Sequence, residues 1–348
     1  MKSKQTPSRK QQHVQLTLKR DVGFRSKSSG FERWELVHNA LPEIDLTEVD
    51  ASIFFLQKRL RLPLIVSSMT GGYKDAERLN GALAEVCEAK GIAMGVGSQR
   101  QAIESTTYHR SFSVVRKFAT SVPVFGNIGA AEVAKLTDTS PIQKLVELIR
   151  ADGFAVHLNP LQELLQPEGT PQFNGVLKGI EMLVKNLAIP VIVKEIGAGI
   201  SADVARRLIG CGVSIIDVAG SGGTSWAGVE ILRRKKGTHP DFSQAFWDWG
   251  IPTVDALRQV VPLKQKHTNL QVIASGGIRN GLDAAKAIAF GADFVAAARG
   301  FLQILESRGK KGLMAEIDGW EMQLRGAMFL TGSRTIQELQ TKILVRNE

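Results

Sequence analysis

The sequence predicts an α/β chain folded as a (β/α)8 TIM barrel, with a basic N-terminal extension and an insertion after the sixth strand. Three observations carry this. Eight short runs rich in valine and isoleucine, each bounded by glycine or proline, recur along the 348 residues, as buried parallel strands do. Amphipathic segments of helical period separate them. Each run also ends in polar residues, and the C-terminal ends of barrel strands are where such a fold holds its chemistry.

In chain order, residues 1–61 precede the first run as an extension, and residues 62–348 form the barrel. The runs are "LPLIVSSMTGG" (62–72), "GIAMGVGSQR" (91–100), "VPVFGNIGA" (122–130), "GFAVHLNPLQE" (153–163), "IPVIVKEIGAG" (189–199), "VSIIDVAGSGGTS" (213–225), "LQVIASGGIRNG" (270–281) and "ADFVAAARGF" (292–301). After the first, "DAERLNGALAEVCEAKG" aligns Leu79, Leu83 and Val86 on one helical face and stops at Gly91. "SPIQKLVELIR" opens with Ser140 as N-cap and Pro141 at the first helical position, its inner stripe being Ile142, Leu145, Val146 and Ile149. "TVDALRQVV" repeats the pattern with Val254, Leu257, Val260 and Val261. A doubly wound open sheet is the alternative; the count of eight and the lack of an early GxGxxG turn favour the barrel. Residues 226–250 form the insertion and hold Trp226, Trp247 and Trp249. They suit a lid or subunit contact, or simple packing on the barrel.

Composition narrows the classes. Hydrophobic content of 43% and charged content of 22% are those of a soluble globular protein. No apolar run approaches the ~20 residues that span a bilayer, and the basic N-terminus lacks the apolar core of a secretory signal, so a cytoplasmic protein without membrane partners is expected. Cys87 and Cys211 lie in helical segments and build neither a disulfide framework nor a metal spacing. The net charge is +10, and residues 1–30 hold eight Lys/Arg against one Asp. Such a tail suits an anionic ligand, a nucleic acid or a membrane surface, or a solvated disordered arm.

The strand ends then discriminate. "ASGGIRNG" runs from strand seven into a helix, where Gly276 and Gly277 allow close backbone approach and the helix N-terminus offers N–H groups to a phosphate. "AARGF" after strand eight supplies the second half of a barrel phosphate site. Lys194 ends strand five and Asn127 follows strand three; with the glycine turn they resemble FMN-binding barrels. Alternation in strand four puts Ala155, His157 and Asn159 on one face and Phe154, Val156 and Leu158 on the other. The first set should face the barrel mouth and the apolar second set the helices.

Taken together, "RKQQH" (9–13), "SSMTGG" (67–72), "GVGSQR" (95–100), "GNIGA" (126–130), "HLNPLQE" (157–163), "VKEIGAGIS" (193–201), "GSGGTSWA" (220–227) and "ASGGIRNG" (274–281) resemble the type 2 isopentenyl-diphosphate isomerase family, in the family's order. "SGGIRNG" is shared by many phosphate-binding barrels; "HLNPLQE" with an N-terminal "RKxxH" is far more specific. The resemblance implies an enzyme that interconverts isopentenyl and dimethylallyl diphosphate, with FMN reduced by NADPH, Mg2+ accompanying the substrate, and homo-oligomers, often tetramers. It implies FMN contacts from Ser68, Met69, Thr70, Ser98, Asn127, Lys194, Thr224, Gly276, Gly277, Arg279, Ala298 and Arg299. It implies substrate contacts from Arg9, Lys10, His13, Ser98, Gln99, Arg100, His157, Asn159 and Gln162, and a Mg2+ ligand in Glu163. His157 and Lys194 are the protein groups expected to assist catalysis, His157 by donating to phosphate or relaying a proton. The tail should close over the diphosphate, and Arg9 and Lys10, repelling one another, should order when a phosphate lies between them.

Competing classes lose key residues. An enzyme like IMP dehydrogenase needs a cysteine in the strand-six loop, which here reads "GSGGTS". A 2-hydroxy-acid oxidase needs a histidine beside the arginine near strand seven, and "ASGGIRNG" has only Arg279. A nucleic-acid binder leaves the polar strand ends unexplained and would show aromatic-interleaved basic motifs, which are missing.

Overall fold

The computed structural model describes residues 2–234 and 242–347, with side chains from Ser8 onward. Residues 235–241 of the expected insertion lie outside the described residues, as do Met1 and Glu348. Eight parallel strands close into a barrel: β1 (Leu64–Val66), β2 (Ala93–Gly95), β3 (Val124–Gly129), β4 (Gly153–His157), β5 (Val191–Lys194), β6 (Ile215–Asp217), β7 (Gln271–Ser275) and β8 (Phe294–Ala297). Each lies inside one of the eight apolar runs, and β8 pairs with β1 through Val295↔Leu64 to seal the ring. The helices used below are α1 (Lys2–Lys19), α2 (Ala76–Lys90), α3 (Ser140–Ile149), α4 (Pro160–Leu165), α5 (Val176–Asn186), α6 (Ala202–Gly210), α7 (Trp226–Arg233), α8 (Thr253–Val260), α9 (Gly281–Ala289) and α10 (Arg299–Leu330). None of the described helices is long and apolar enough to cross a membrane.

The barrel stands because each strand has two apolar faces. Ile65, Ala93, Phe125, Ala155, Ile192, Ile215, Ile273, Phe294 and Ala296 fill the interior, where they meet Phe55 and Leu60. Those two come from a hairpin of the N-terminal extension, Ile53–Phe55 paired with Lys58–Leu60. Phe55 packs on Phe294 at 4.5 Å between ring centres. Fully burying a side chain of this size stabilises by roughly 1.5–3 kcal/mol. Phe154 and Val156 join the outer core beneath the helices, so the alternation expected for strand four is observed. Among the described residues, interior filling and hairpin close the barrel below and leave the C-terminal mouth open to a ligand.

The helix stripes follow their sequence periods. α2 buries Leu79, Leu83 and Val86 and ends at Gly91, left-handed at φ 62°. α3 begins one residue off the expected start: Thr139 is its N-cap, Ser140 is already helical, and the Ser140 N–H is taken by Asp138 Oδ1 at 2.8 Å. The aspartate two residues upstream supplies the acceptor that a serine cap would have provided.

Candidate active site

Register decides which side chains share the mouth. Gly129 lies beside His157, His157 beside Lys194 and Lys194 beside Asp217 in successive strand pairs. A cavity of about 670 Å3 opens above this row, within the size range of small-molecule sites.

One end of the cavity is built from the glycine loops after β6, β7 and β8. Gly276 (φ 98°) and Gly277 (φ 73°) adopt left-handed backbone, and a Cβ on Gly276 would stand 2.0 Å from Gly220 O. These glycines let the β6 and β7 loops press backbone against backbone, so ligand approach is only part of their purpose. At the start of α9, where a phosphate site is expected, side chains already take several N–H groups. Asn280 Oδ1 already caps Asp283 N–H at 2.8 Å, Gln323 Oε1 takes Gly281 N–H at 2.7 Å and Asp283 takes Arg279 N–H at 3.1 Å. The Gly276–Ile278 loop and the first turn of α10, where Ala298 is an N-cap without a side-chain bond, line the cavity. Arg299 lines the cavity, but its guanidinium is bound to Thr17 O and Arg20 O, both at 2.9 Å. It closes the C-terminus of α1. Ser68, Met69, Ser98, Asn127, Lys194, Thr224 and Arg279 also line the cavity, and the buried Ser68 Oγ has no protein partner.

Two predicted residues do not bring their side chains to the cavity. Thr70 turns inward to Asn80 Oδ1. Gln99 is fully buried behind β3, its Nε2 donating to Leu145 O at 3.1 Å and its Oε1 accepting from Asn127 N–H at 3.1 Å. Gln99 is a strut for the loop that carries Ser98 and Arg100.

The opposite end is cationic on one wall and amide-rich on the other. Arg9 and Lys10 enter from α1, and Arg100 starts the short helix after β2, bonded to Glu104 at 3.0 Å and Glu132 at 3.1 Å. Lys10 Nζ donates to Gly71 O at 2.9 Å and to Ser98 O, and sits 5.3 Å from the Phe112 ring. These acceptors offset the repulsion expected from Arg9. Burial first, then the Arg9 charge, draws the Lys10 pKa down to about 7. Burial and Arg100 lower Arg9 as well, and the buried Arg9 Nε has no protein partner. On the other wall, Asn159 Nδ2 donates to Gln162 Oε1 and Glu163 Oε1, both at 3.1 Å, and Thr170 N–H donates to Glu163 Oε2 at 2.7 Å. Asn159 Oδ1 is buried and unpartnered.

His157 sits between the ends. Burial, then the charges of Lys194 and Lys10, push its pKa down to about 3, so the ring is neutral at ordinary pH. Its Nδ1 lies 2.8 Å from Asn127 Oδ1, and a neutral imidazole offers one donor and one acceptor nitrogen. The ring lines the cavity beside Lys194. Lys194 Nζ donates to Glu195 O at 2.6 Å and lies 3.8 Å from Asp217 Oδ2. Asp217 also accepts from Ser275 Oγ at 2.6 Å.

Sequence reasoning missed Glu230. It lies in α7, is fully buried, and accepts from His13 Nε2 at 2.8 Å, from Gln162 Nε2 at 3.2 Å and from Arg233. Burial raises its pKa, but the bonds from His13 and the Arg233 charge outweigh burial and hold it below the usual carboxylate range. His13 thus joins the tail to the insertion, and its ring meets Trp226 edge-on at 5.3 Å. Trp247 packs with Leu165, Ala227 and Ile231, and donates Nε1–H to Gly23 O at 2.9 Å. The described part of the insertion therefore packs onto α4 and the segment after α1.

Comparison with known proteins agrees with this architecture. Residues 157–346 match the family model described as FMN-dependent dehydrogenase. The chain is 48% identical to an isopentenyl-diphosphate delta-isomerase of Pelodictyon phaeoclathratiforme, covering 98% of this chain and 97% of that protein. It is 43% identical to one from Pseudescherichia vulneris, again over 98% and 97%. Among solved structures, a mandelate oxidase superposes with TM-score 0.64 at 19% identity over 97% of this chain and 94% of that one, a likeness of fold alone. Near-complete coverage at such identity, over a barrel whose loops and tail converge on one cavity, makes this chain a member of the isopentenyl-diphosphate delta-isomerase family of isomerases, carrying an FMN-dependent dehydrogenase domain.

Proposed function

We propose that the protein interconverts isopentenyl and dimethylallyl diphosphate, using FMN reduced by NADPH, with Mg2+ on the diphosphate. The observation that carries this reading is a single cavity with two chemically different ends: a glycine cradle under β7 and β8, and a cationic wall facing Glu163.

The residues suit both groups. The unpartnered Ser68 Oγ and the glycine cradle fit a flavin phosphate and ring edge. Ser68, Met69, Ser98, Asn127, Lys194, Thr224, Gly276, Gly277, Arg279 and the backbone at Ala298 and Arg299 would hold FMN. Among the described residues no cluster of three His, Cys, Asp or Glu could hold a metal. Mg2+ takes hard oxygens, commonly one or two carboxylates plus substrate phosphates; Glu163 with the free Asn159 Oδ1 matches that donor set.

Moving the double bond requires a proton at one alkene carbon and loss of one from another, and reduced FMN, when bound, supplies an acid/base and negative charge beside a weakly basic alkene. The chain's own task is placement. Arg9, Lys10 and Arg100 bind the diphosphate, and Glu163 holds its cation. Gln162, tied between Asn159 and Glu230, faces the substrate, while His157 stays neutral and offers the substrate a hydrogen bond. Lys194, held by Glu195 O beside Asp217, sets positive charge at the floor. α1 excludes water from above.

Purified protein should be yellow, and isomerisation in either direction should require both flavin reduction and Mg2+. Full turnover by flavin-free protein would overturn the reading. A second test uses pH. A lysine at about 7 is charged below that pH and neutral above it, so kcat/KM should fall as pH rises through about 7. kcat should hold to higher pH, because bound diphosphate restores the charge. Lys10→Met should remove that limb of the profile; an unchanged limb assigns it to another group.

A further inference from the structure

We infer that Gln166 is an additional protein donor to the diphosphate, an assignment that rests on the isomerase reading above. Gln166 closes α4. Its N–H donates to Gln162 O at 2.8 Å, its carbonyl accepts from Gly169 N–H at 2.9 Å, and the preceding Leu165 O takes two bonds from Arg234, at 3.1 and 2.6 Å. The chain then folds back so that Thr170 N–H reaches Glu163 Oε2. The backbone is pinned on every side, yet the side chain is only partly used: Gln166 is 5% exposed, lines the cavity, and its Nε2 has no partner.

A structural glutamine in this barrel looks different. Gln99, also buried, spends its Nε2 on Leu145 O and its Oε1 on Asn127 N–H. A buried amide that leaves a donor unmade carries a cost that a ligand acceptor removes. The unpartnered groups around it identify the acceptor. Arg9 Nε is a second unmade donor lining this cavity, and Asn159 Oδ1 is an unmade acceptor beside Glu163. Two unmade donors beside an unmade acceptor and a carboxylate are the complement of a phosphoryl anion carrying a divalent cation. Gln166 lies three residues beyond Glu163 and four beyond Gln162, which places all three on one side of α4.

The test uses the flavin-loaded enzyme with Mg2+. Binding of inorganic pyrophosphate is measured by calorimetry, alongside KM and kcat for isopentenyl diphosphate. Gln166→Met, which keeps the length and loses the donor, should raise the pyrophosphate Kd and the KM about tenfold. kcat should change less than about twofold, with bound FMN and its visible spectrum unaltered. Gln166→Glu should be worse than Gln166→Met, since it sets a negative charge against the phosphate; a merely structural amide would show no such order. Equal pyrophosphate affinity in wild type and Gln166→Met overturns the assignment, as does a wild type that does not bind pyrophosphate. Tight pyrophosphate binding weakened by the variants, without isomerase turnover in wild type, would instead retire the isomerase reading and leave the donor in place.

Discussion

Glu163→Gln is expected to lower kcat/KM by about a hundredfold or more at any Mg2+ concentration, while the protein still folds and binds FMN. The carboxylate now spends one oxygen on Asn159 Nδ2 and the other on Thr170 N–H. Each oxygen keeps a second lone pair, so both remain able to approach a cation. A glutamine has one oxygen and one NH2 in the same space. Whichever way the amide turns, its NH2 meets a donor, Asn159 Nδ2 or Thr170 N–H, and one bond that shapes the loop is lost. The negative charge opposite Arg9 is lost too. The effect should be read as a shift of the Mg2+ titration to higher concentration together with a lower plateau. The flavin absorbance should stay at wild-type level, because the glycine cradle lies at the other end of the cavity. A variant with the wild-type Mg2+ midpoint would show that Glu163 does not hold the cation.

What sequence could and could not show divides by the range of the interaction. The barrel was legible because buried parallel strands are apolar on both faces and the strand period is two: Phe154 and Val156 had to face helices, and Ala155 and His157 the interior. Residues whose roles depend on distant partners were not. Gln99, Gln162 and Gln166 are the same side chain near the ends of strands two and four, yet Gln99 is a strut, Gln162 bridges to Glu230, and Gln166 keeps a free donor. No local pattern separates these. Thr70 and Arg299 came to the cofactor through the family resemblance, but Asn80 takes the Thr70 hydroxyl and the end of α1 takes the Arg299 guanidinium. One of these side-chain roles had a readable cue. Asn280 and Asp283 are spaced as an N-cap and its third helical residue, so "NGLD" announced that the start of α9 caps itself. Glu230 had none: "WAGVEILR" reads as an amphipathic helix with a solvated glutamate, and the histidine that claims it lies 217 residues away.

That carboxylate carries the other large effect. Glu230→Leu is expected to raise KM for the diphosphate by about a hundredfold, with FMN affinity nearly unchanged. Glu230 is fully buried, and Arg233 beside it has a side chain only 5% exposed. Removing one partner of a buried ion pair typically costs about 3–5 kcal/mol, because the other charge is stranded. Arg233 keeps Glu168, at 3.0 and 3.1 Å, but that carboxylate is 41% exposed and screened by solvent. His13 and Gln162 lose their shared acceptor in the same step. The cheapest relief is local: α1 can lift away and hydrate Arg233, while the barrel, which makes no use of Glu230, remains closed. Lifting α1 withdraws Arg9 and Lys10 from the diphosphate, so the loss appears in substrate binding. Glu230→Gln, which still offers His13 an oxygen, should lose much less. Removing Arg233 as well, in Glu230→Leu/Arg233→Leu, should recover part of the loss, since no charge is then stranded. Hydrogen exchange across residues 9–19 distinguishes this from a direct effect on Gln162. Faster exchange in Glu230→Leu is the expected result. Wild-type protection there, with KM still raised, would place the effect at Gln162 and show that the remaining contacts of α1, among them those of Lys10, Arg299 and Gln303, are enough to hold it.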